Sequence, residues 1–183
     1  ARAGVGKLRI IDRDYLEWNN LQRQVLYTEK DVAAGIPKAI AAKAHLEGIN
    51  SDIEIEAVVS HISADNIIEL VQDADCIVDG TDNFETRFLI NDAAIKLNIP
   101  WIYGGCIGSE GQTMTIIPEQ TPCLHCLMQA GPPPPGTTPT CDSAGILGSV
   151  INVIASIQAL EALKIVSGNA HQISPYLHVF DLW

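Results

Sequence analysis

The sequence predicts an α/β protein of the Rossmann-like, doubly wound kind, with a mostly parallel sheet, an antiparallel extension and a CxxC zinc knuckle. Three observations support this prediction. Short apolar runs alternate with segments of helical periodicity, the order expected of βαβ units. Polar residues follow two of the apolar runs, around Asp12 and around Asp82, where an α/β sheet binds its ligands. With 183 residues, 47% hydrophobic and 18% charged, the chain has the composition of one globular domain.

The first half of the chain is predicted to form a strand (residues 7–12), a helix (31–46), a second strand (53–59) and a second helix (63–72). An apolar run that ends at Asp12 indicates the first strand, and alternation of apolar and polar residues indicates the second. The first helix has its apolar residues on one side, and Pro37 suits its first turn. Ser63 is a candidate N-cap of the second helix.

The second half is predicted to form a strand (residues 75–79), a helix (83–97), two strands (101–104 and 112–117), a helix (143–166) and a last strand (177–183). The strand over 112–117 is expected to be antiparallel to its neighbour, and the helix over 143–166 to be mostly buried. Between these two elements, residues 118–142 contain four consecutive prolines. Such a run predicts an extended, mobile segment.

Charge and composition exclude several classes of function. The net charge is −11, which argues against nucleic-acid binding because phosphate contacts need clustered lysine and arginine. The longest apolar stretch, residues 146–166, is interrupted by polar and charged residues, so no membrane span is expected. Five cysteines with one CxxC pair suit a reducing compartment better than a disulfide framework. We therefore expect a cytoplasmic protein.

Both ends of the chain are expected to lie inside a larger domain. Residues 1–6 have the pattern of the last turn of a helix with a glycine cap. A Rossmann unit has a strand and a Gly-rich turn before that helix. The last predicted strand stops at Trp183. We expect residues 1–183 to form a single domain that lacks its first strand and its Gly-rich loop.

The loop after the first predicted strand offers groups that bind a nucleotide. Asp12 stands at the strand end, where an acid can hold a ribose. Asn20 and Arg23 in the loop have amide and guanidinium groups, which donate to phosphate oxygens. Arg23 and Lys38 both lie between the first two strands, so they could reach one phosphate tail. Asp82, at a second strand end, is a candidate ligand of Mg²⁺, which takes oxygen ligands and bridges phosphates.

Each of these residues also has a plain structural interpretation. Asp12 could be only a solvated strand end, and Asp82 could cap the helix that begins near Asn83. Arg23 and Lys38 could be exposed surface charges, the commonest state of such residues. The occurrence of two acidic strand ends together with two cations favours a site for a nucleoside triphosphate.

The cysteines suggest two further sites. Cys123 and Cys126 have zinc-knuckle spacing, and the missing ligands of a four-ligand site are expected beyond Trp183. The alternative is a redox CxxC pair; zinc is preferred because the pair opens a loop and not an obvious helix, with His125 as a bystander. Cys141 precedes a predicted helix, where thiols become nucleophilic; alternatively it is an unreactive loop cysteine.

These motifs together resemble a known family. They are, in chain order, the runs DRDYLEWNNLQRQ, GIPK, DGTDN, PCLHC, TCDSAGILG and IQALEALKI. They resemble the bacterial adenylyltransferases of the ThiF/MoeB/HesA type, which activate ubiquitin-like sulfur carriers and are similar to ubiquitin-activating enzymes. The resemblance covers essentially the whole chain and is nearest to the thiazole-biosynthesis type.

The resemblance implies a reaction in which ATP adenylates the C-terminal Gly-Gly carboxylate of a carrier in thiamine thiazole or molybdopterin biosynthesis. Sulfur from a cysteine desulfurase or sulfurtransferase then gives a thiocarboxylate. By this resemblance, Asp12 would bind the ribose, and Asn20, Arg23 and Lys38 would bind phosphates. Asp82 would bind Mg²⁺, and Cys123 and Cys126 would supply half of a Cys₄ zinc site. Cys141 would form a covalent link to the carrier. The resemblance also implies a homodimer and a second CxxC pair that this chain lacks.

Other functions remain open from the sequence. A dinucleotide oxidoreductase could use the same fold, although Arg23, Lys38 and the CxxC pair argue against it. A non-catalytic scaffold that only binds a carrier protein is a second alternative. A tRNA-modifying dehydratase within the family is a third, which the acidic net charge disfavours.

Overall fold

The structure, a computed structural model, describes residues 1–129, 131, 133 and 144–183. The chain divides into two compact units, an N-terminal unit over Ala1–His61 and a C-terminal unit over Ile62–Trp183. Each unit has its own sheet, of two and four strands. The predicted α/β class is confirmed, whereas the expected single sheet is replaced by two.

The N-terminal unit is a parallel crossover. Strand β1, Lys7–Ile11, pairs in parallel with β2, Glu54–Val58. The connection contains a 3₁₀ turn over Trp18–Asn20 and helices α1 and α2 over Glu29–Ala34 and Lys38–Ile49. Parallel strands need such a connection because a tight turn cannot reverse the chain twice.

A glycine and a proline divide the helix that the sequence predicts over residues 31–46. Gly35 ends α1 in a left-handed conformation, with φ of 62°, which glycine adopts without a steric penalty. Pro37 stands immediately before α2 and not inside its first turn. Because of this break, Lys38 becomes the first residue of α2.

The C-terminal unit contains a mixed sheet in the order β3-β4-β5-β6. Its elements are α3 (Ile67–Val71), β3 (Ile77–Val78), α4 (Phe84–Leu97), β4 (Trp101–Ile107), β5 (Glu110–Ile116), α5 (Leu124–Leu127), α6 (Gly148–Val166) and β6 (His178–Asp181). A 3₁₀ turn over Ala170–Gln172 lies between α6 and β6. Only β3 and β4 pair in parallel; the other two pairs are antiparallel. The prediction of a mostly parallel sheet is therefore wrong here, since a two-residue turn joins β4 to β5 and forces antiparallel pairing.

Helix α6 packs on the sheet through one narrow stripe. Its buried residues, Val150, Ile154, Gln158 and Glu161, are three or four positions apart and so lie on one face. Gly111 of β5 makes the approach close, because a Cβ there would lie 2.5 Å from Ile154. Most of the helix is exposed or half-buried, so the prediction of a mostly buried helix is wrong.

Helix α6 is also long and apolar enough to cross a membrane by length and composition alone. Its polar contacts instead tie it to the sheet. The Gln158 amide donates to the carbonyl oxygens of Asp79 and Ile102, and Glu161 accepts from the Thr115 hydroxyl at 3.0 Å. Such buried polar bonds are typical of a helix in the core of a folded domain.

Candidate active site

The loop after β1 begins with a tight turn at Asp12. The Asp12 main-chain N–H donates to the carbonyl of Val58 at 3.1 Å, which continues the ladder with β2. Its side-chain Oδ1 accepts from the N–H of Asp14 at 2.8 Å. Asp12 is half-buried. This acid therefore stands at the carboxyl end of a parallel strand, where α/β folds bind ligands.

Lys38 is held against this loop by its main chain and by its side chain. Its N–H donates to the carbonyl of Asp14 at 2.8 Å, and its Nζ lies 3.3 Å from Asp14 Oδ2. The residue is only 9% exposed. The alternative that Lys38 is an exposed surface charge is therefore wrong. Burial makes it a pre-positioned cation, whose charge is balanced by the more exposed carboxylate of Asp14.

Tyr27 contacts the main chain of Lys38. Its hydroxyl donates to the carbonyl of Lys38 at 3.1 Å. Burial, together with the negative charges of Asp12 and Asp31, raises the pKa of Tyr27 to about 12. Tyr27 therefore stays a neutral donor at physiological pH. Sequence reasoning assigned no role to Tyr27 or Asp14, because their contacts join positions that have no local pattern in common.

Asn20 and Arg23 form the middle of the same loop. Asn20 is 5% exposed; its Oδ1 accepts from the N–H of Glu17, and its Nδ2 donates to Asn19 Oδ1. The guanidinium of Arg23 donates to the carbonyl of Asn19 at 2.8 Å. Arg23 is half-buried, so it is less exposed than the surface-charge alternative implies. Asn20 thus shapes the 3₁₀ turn, and Arg23 folds back onto it.

In the C-terminal unit, a buried acid organises the loop over residues 79–83. Asp79 is 3% exposed. Its Oδ1 accepts from the N–H and hydroxyl of Thr81, at 2.8 and 2.7 Å. Its Oδ2 accepts from Arg87 Nε at 3.3 Å and from the N–H of Gly104 at 3.4 Å. Burial raises the pKa of Asp79, and the Arg87 guanidinium opposes that rise.

Asp82 is the exposed acid of this loop. The Nδ2 of Asn83 lies 3.3 Å from Asp82 Oδ1. The N-cap of α4 is Asn83, which accepts from the N–H of Thr86 at 2.8 Å. The alternative that Asp82 caps this helix is therefore wrong. Its carboxylate is exposed in the loop that follows β3, and carboxylate oxygens are ligands that Mg²⁺ accepts.

The two cysteines of the CxxC pair lie close together. Their sulfur atoms are 3.7 Å apart, and two thiolates bound at about 2.3 Å to one tetrahedral zinc would be about 3.8 Å apart. Within the described ranges, no group of three or more histidines, cysteines or acids could hold a metal. The sulfur separation therefore fits the geometry of two ligands on one zinc ion.

One ground for preferring zinc over a redox pair does not hold. Cys123 is the N-cap of α5, a one-turn helix, so the pair does open a helix. His125 has its Nε2 3.0 Å from Asp92 Oδ1 and its ring against Phe88, which agrees with a bystander. Cys141 and most of the proline-rich segment lie outside the described residues.

The structure thus brings the predicted residues together in two groups. Asp12, Asn20, Arg23 and Lys38 share the N-terminal unit, and Asp82 and the CxxC pair share the C-terminal unit. Polar loops at the carboxyl ends of parallel strands define the class: an α/β protein with the architecture of a ligand-binding fold.

Comparison with known proteins identifies the family. The ThiF family matches residues 1–183, so the chain belongs to the ThiF family. It is 51% identical over 182 residues to the sulfur carrier protein ThiS adenylyltransferase of Bacillus subtilis, covering 100% of this chain and 53% of that protein. It is 39% identical to the SAMP-activating enzyme E1 of Haloferax volcanii, covering 99% of this chain and 66% of that protein.

Solved structures agree with this assignment at the level of the fold. A crystal structure of Escherichia coli MccB with ATP has a TM-score of 0.78 at 23% identity, covering 98% of this chain and 57% of that chain. The chain spans about half the length of several relatives that it matches, 53% of the Bacillus protein for example.

Proposed function

We propose that this chain adenylates the C-terminal Gly-Gly carboxylate of a ubiquitin-like sulfur-carrier protein with ATP, in thiamine thiazole or molybdopterin biosynthesis. Membership of the ThiF family supports this proposal. So does the Bacillus relative, whose name is sulfur carrier protein ThiS adenylyltransferase. The observation that carries the proposal is Lys38, a buried cation placed beside the acid-ended strand β1.

The chemistry requires positioned charge and little proton transfer. Attack of a carboxylate on the α-phosphate needs the two groups aligned and the phosphate charge neutralised. Lys38 supplies a cation that folding has already desolvated, and Asp14 releases it when phosphate oxygens arrive. Arg23 supplies a second cation and Asn20 an amide in the same loop. Asp12 accepts hydrogen bonds from the ribose.

A metal ion assigned to Asp82 supplies further neutralisation of the phosphates when it is bound. The exposed Asp82 carboxylate fits this role because α4 takes its cap from Asn83. Cys123 and Cys126 fit half of a structural Zn²⁺ site, given their sulfur separation of 3.7 Å. These two sites fall on different parts of the C-terminal unit and serve different purposes.

The proposal extends to the partners. The Cys141 thiol attacks the acyl adenylate of the carrier, which forms a thioester and releases AMP, and a cysteine desulfurase or sulfurtransferase supplies the sulfur. The protein acts as a homodimer in the cytoplasm. These points rest on the motif resemblance and the cysteine content, and the relatives named for adenylyltransferase activity support the carrier as substrate.

ATP–pyrophosphate exchange in the presence of the carrier tests the adenylation. Lys38→Ala should lower exchange by ~10²-fold or more, as loss of transition-state charge stabilisation usually does. The matched control is Lys43→Ala on the same helix, whose ammonium only pairs with Glu47 at 3.6 Å on the surface. It should leave exchange within about 2-fold, since such pairs contribute little.

Two results would contradict the proposal. Equal exchange in wild type and Lys38→Ala would remove Lys38 from the site. No exchange in wild type, with the carrier still bound, would favour the scaffold alternative.

A further inference from the structure

The loop that carries Asp82 is fixed from both of its ends. At its start, Asp79 binds the N–H and the hydroxyl of Thr81. At its end, Asn83 caps α4. Arg87 reaches back from α4 and donates to the carbonyl of Thr81 at 2.6 Å. Asp82 therefore lies between two immobilised neighbours, although its own side chain is exposed.

One further residue holds this loop from a distant part of the chain. Gln158 on α6 is 5% exposed. Its Nε2 donates to the carbonyl of Asp79 at 2.9 Å and to the carbonyl of Ile102 at 3.1 Å. Asp79 and Ile102 belong to the neighbouring chain segments at the end of the β3–β4 ladder, where the N–H of Asp79 also donates to Ile102. One amide thus ties the two strand ends to the helix.

The Gln158 amide fits against the sheet because residue 104 is a glycine. A Cβ on Gly104 would lie 2.4 Å from Gln158 Nε2, a distance at which atoms must move. The N–H of Gly104 also donates to Asp79 Oδ2. Gly104, Gln158 and Asp79 therefore form one packed set, in which a change at one member displaces the others.

We propose that Gln158 is a positioning residue for adenylation, which sets the Asp79–Asn83 loop so that the Asp82 carboxylate is placed to hold a metal ion. The assignment rests on the proposed function for the role of Asp82. Gln158 itself touches no substrate: it acts through the carbonyls of Asp79 and Ile102. Its loss should weaken the contribution of Asp82 and leave the Lys38 group unaffected.

A double-mutant cycle in the natural full-length protein tests this role. Gln158→Met keeps the side-chain volume and removes the donor. It should lower ATP–pyrophosphate exchange by about 10-fold and raise the Mg²⁺ concentration needed for half-maximal exchange, because small misplacements at a site have large rate effects. In an Asp82→Ala background, the same change should cost less than about 2-fold, as expected of two residues that act as a unit.

Thr115→Val is the matched control. It removes another buried hydrogen bond between the sheet and α6, from Thr115 to Glu161, without contact to the loop. It should lower the urea midpoint of unfolding, because a buried hydrogen bond is lost, and leave the Mg²⁺ dependence unchanged. Equal losses from Gln158→Met in both Asp82 backgrounds would overturn the proposal and make Gln158 merely structural.

Hydrogen exchange separates this proposal from the adenylation proposal. In Gln158→Met, the amide of Thr81 should lose protection, while the amide of Thr86 in the α4 cap should keep it. Gly104→Ala should have the same effect, since its Cβ displaces the Gln158 amide. Unchanged protection at Thr81 in both variants would overturn the positioning role, whether or not the wild type shows pyrophosphate exchange.

Discussion

Two acids that follow parallel strands differ in their burial and in their hydrogen-bond partners. Asp12 after β1 is half-buried and begins the loop that leads to the 3₁₀ turn over Trp18–Asn20, whereas Asp79 after β3 is buried and both of its carboxylate oxygens accept hydrogen bonds within the fold. The difference comes from the partners. Arg87, Thr81 and Gly104 surround Asp79, so the exposed Asp82 becomes the acid of that loop which can bind a ligand.

The cations differ in the same way. Lys38 and Arg87 are both buried, but Lys38 pairs with an Asp14 side chain that is 56% exposed, whereas Arg87 pairs with an Asp79 side chain that is 0% exposed. A pair that is open on one side can exchange its partner for a phosphate. A closed pair cannot exchange its partner without unfolding its loop. The two pairs therefore differ in the exposure of the acid, which leaves the Lys38 pair open to solvent and the Arg87 pair closed.

The largest expected effect is on stability and distinguishes the two pairs directly. Asp79→Ala should lower the free energy of unfolding by about 3–5 kcal/mol, because it leaves the Arg87 charge buried without a partner. Asp14→Ala should cost clearly less than Asp79→Ala, because the pair is open to water on the side of Asp14, whose side chain is 56% exposed. Urea denaturation of the two variants measures both values. Similar losses in the two variants would contradict the distinction.

A more local effect is expected at the cysteine pair. If the natural protein completes a four-ligand site, metal analysis should find about one zinc per chain. Cys123→Ser should release the zinc and loosen residues 118–126, and nucleotide binding at the Asp12 loop should survive. Ser109→Ala, which removes an exposed hydrogen bond to Asp181, is the control and should keep the metal. A Cys123–Cys126 disulfide without zinc would favour the redox interpretation.

The smallest expected effect concerns a third acid, Asp31, which like Asp79 accepts from both the N–H and the hydroxyl of a threonine. Its Oδ2 accepts from the N–H and the hydroxyl of Thr28, both at 2.7 Å, and lies 2.8 Å from His45 Nε2. The Thr28 hydroxyl, followed by His45, lowers the pKa of Asp31 to about 2. Burial reverses the direction for Asp79.

A pKa that is lower in the folded state stabilises the fold above the unfolded value of 3.8, and the contribution is lost as the pH falls towards about 2. Asp31→Asn should therefore be less stable than wild type at pH 5, by about 1 kcal/mol or less. The difference in urea midpoint should shrink between pH 4 and pH 2. A difference that stays constant over that range would show that Asp31 keeps no lowered pKa.

Sequence patterns predicted what depends on neighbours in the chain. The α/β class and the order of strands and helices followed from periodicity, and the acid at the end of β1 followed from one apolar run. The break between α1 and α2 was missed although Gly35 and Pro37 signal it, because the apolar periodicity continues across both residues. The closeness of the two CxxC sulfurs was likewise expected from their spacing.

Tertiary contacts decided the rest. The burial of Lys38 depends on Asp14 and Tyr27, and the loop at Asp82 depends on Gln158, which lies 79 residues from Asp79. No local window contains both partners of such a bond. The extent of the antiparallel part was also underestimated, since residues 105–107 of β4 contain no apolar alternation and are drawn into the sheet by pairing with β5.

The close approach of α6 to the sheet has a consequence for how the sequence tolerates change. At Gly111 even one methyl group would meet Ile154 at 2.5 Å and Val150 at 3.0 Å. A random library should therefore recover almost no substitution at this position, whereas Ser149 and Ala159 on the outward side of the same helix should accept most residues. The pattern of surviving variants along β5 and α6 would trace the line of contact without any further structural measurement.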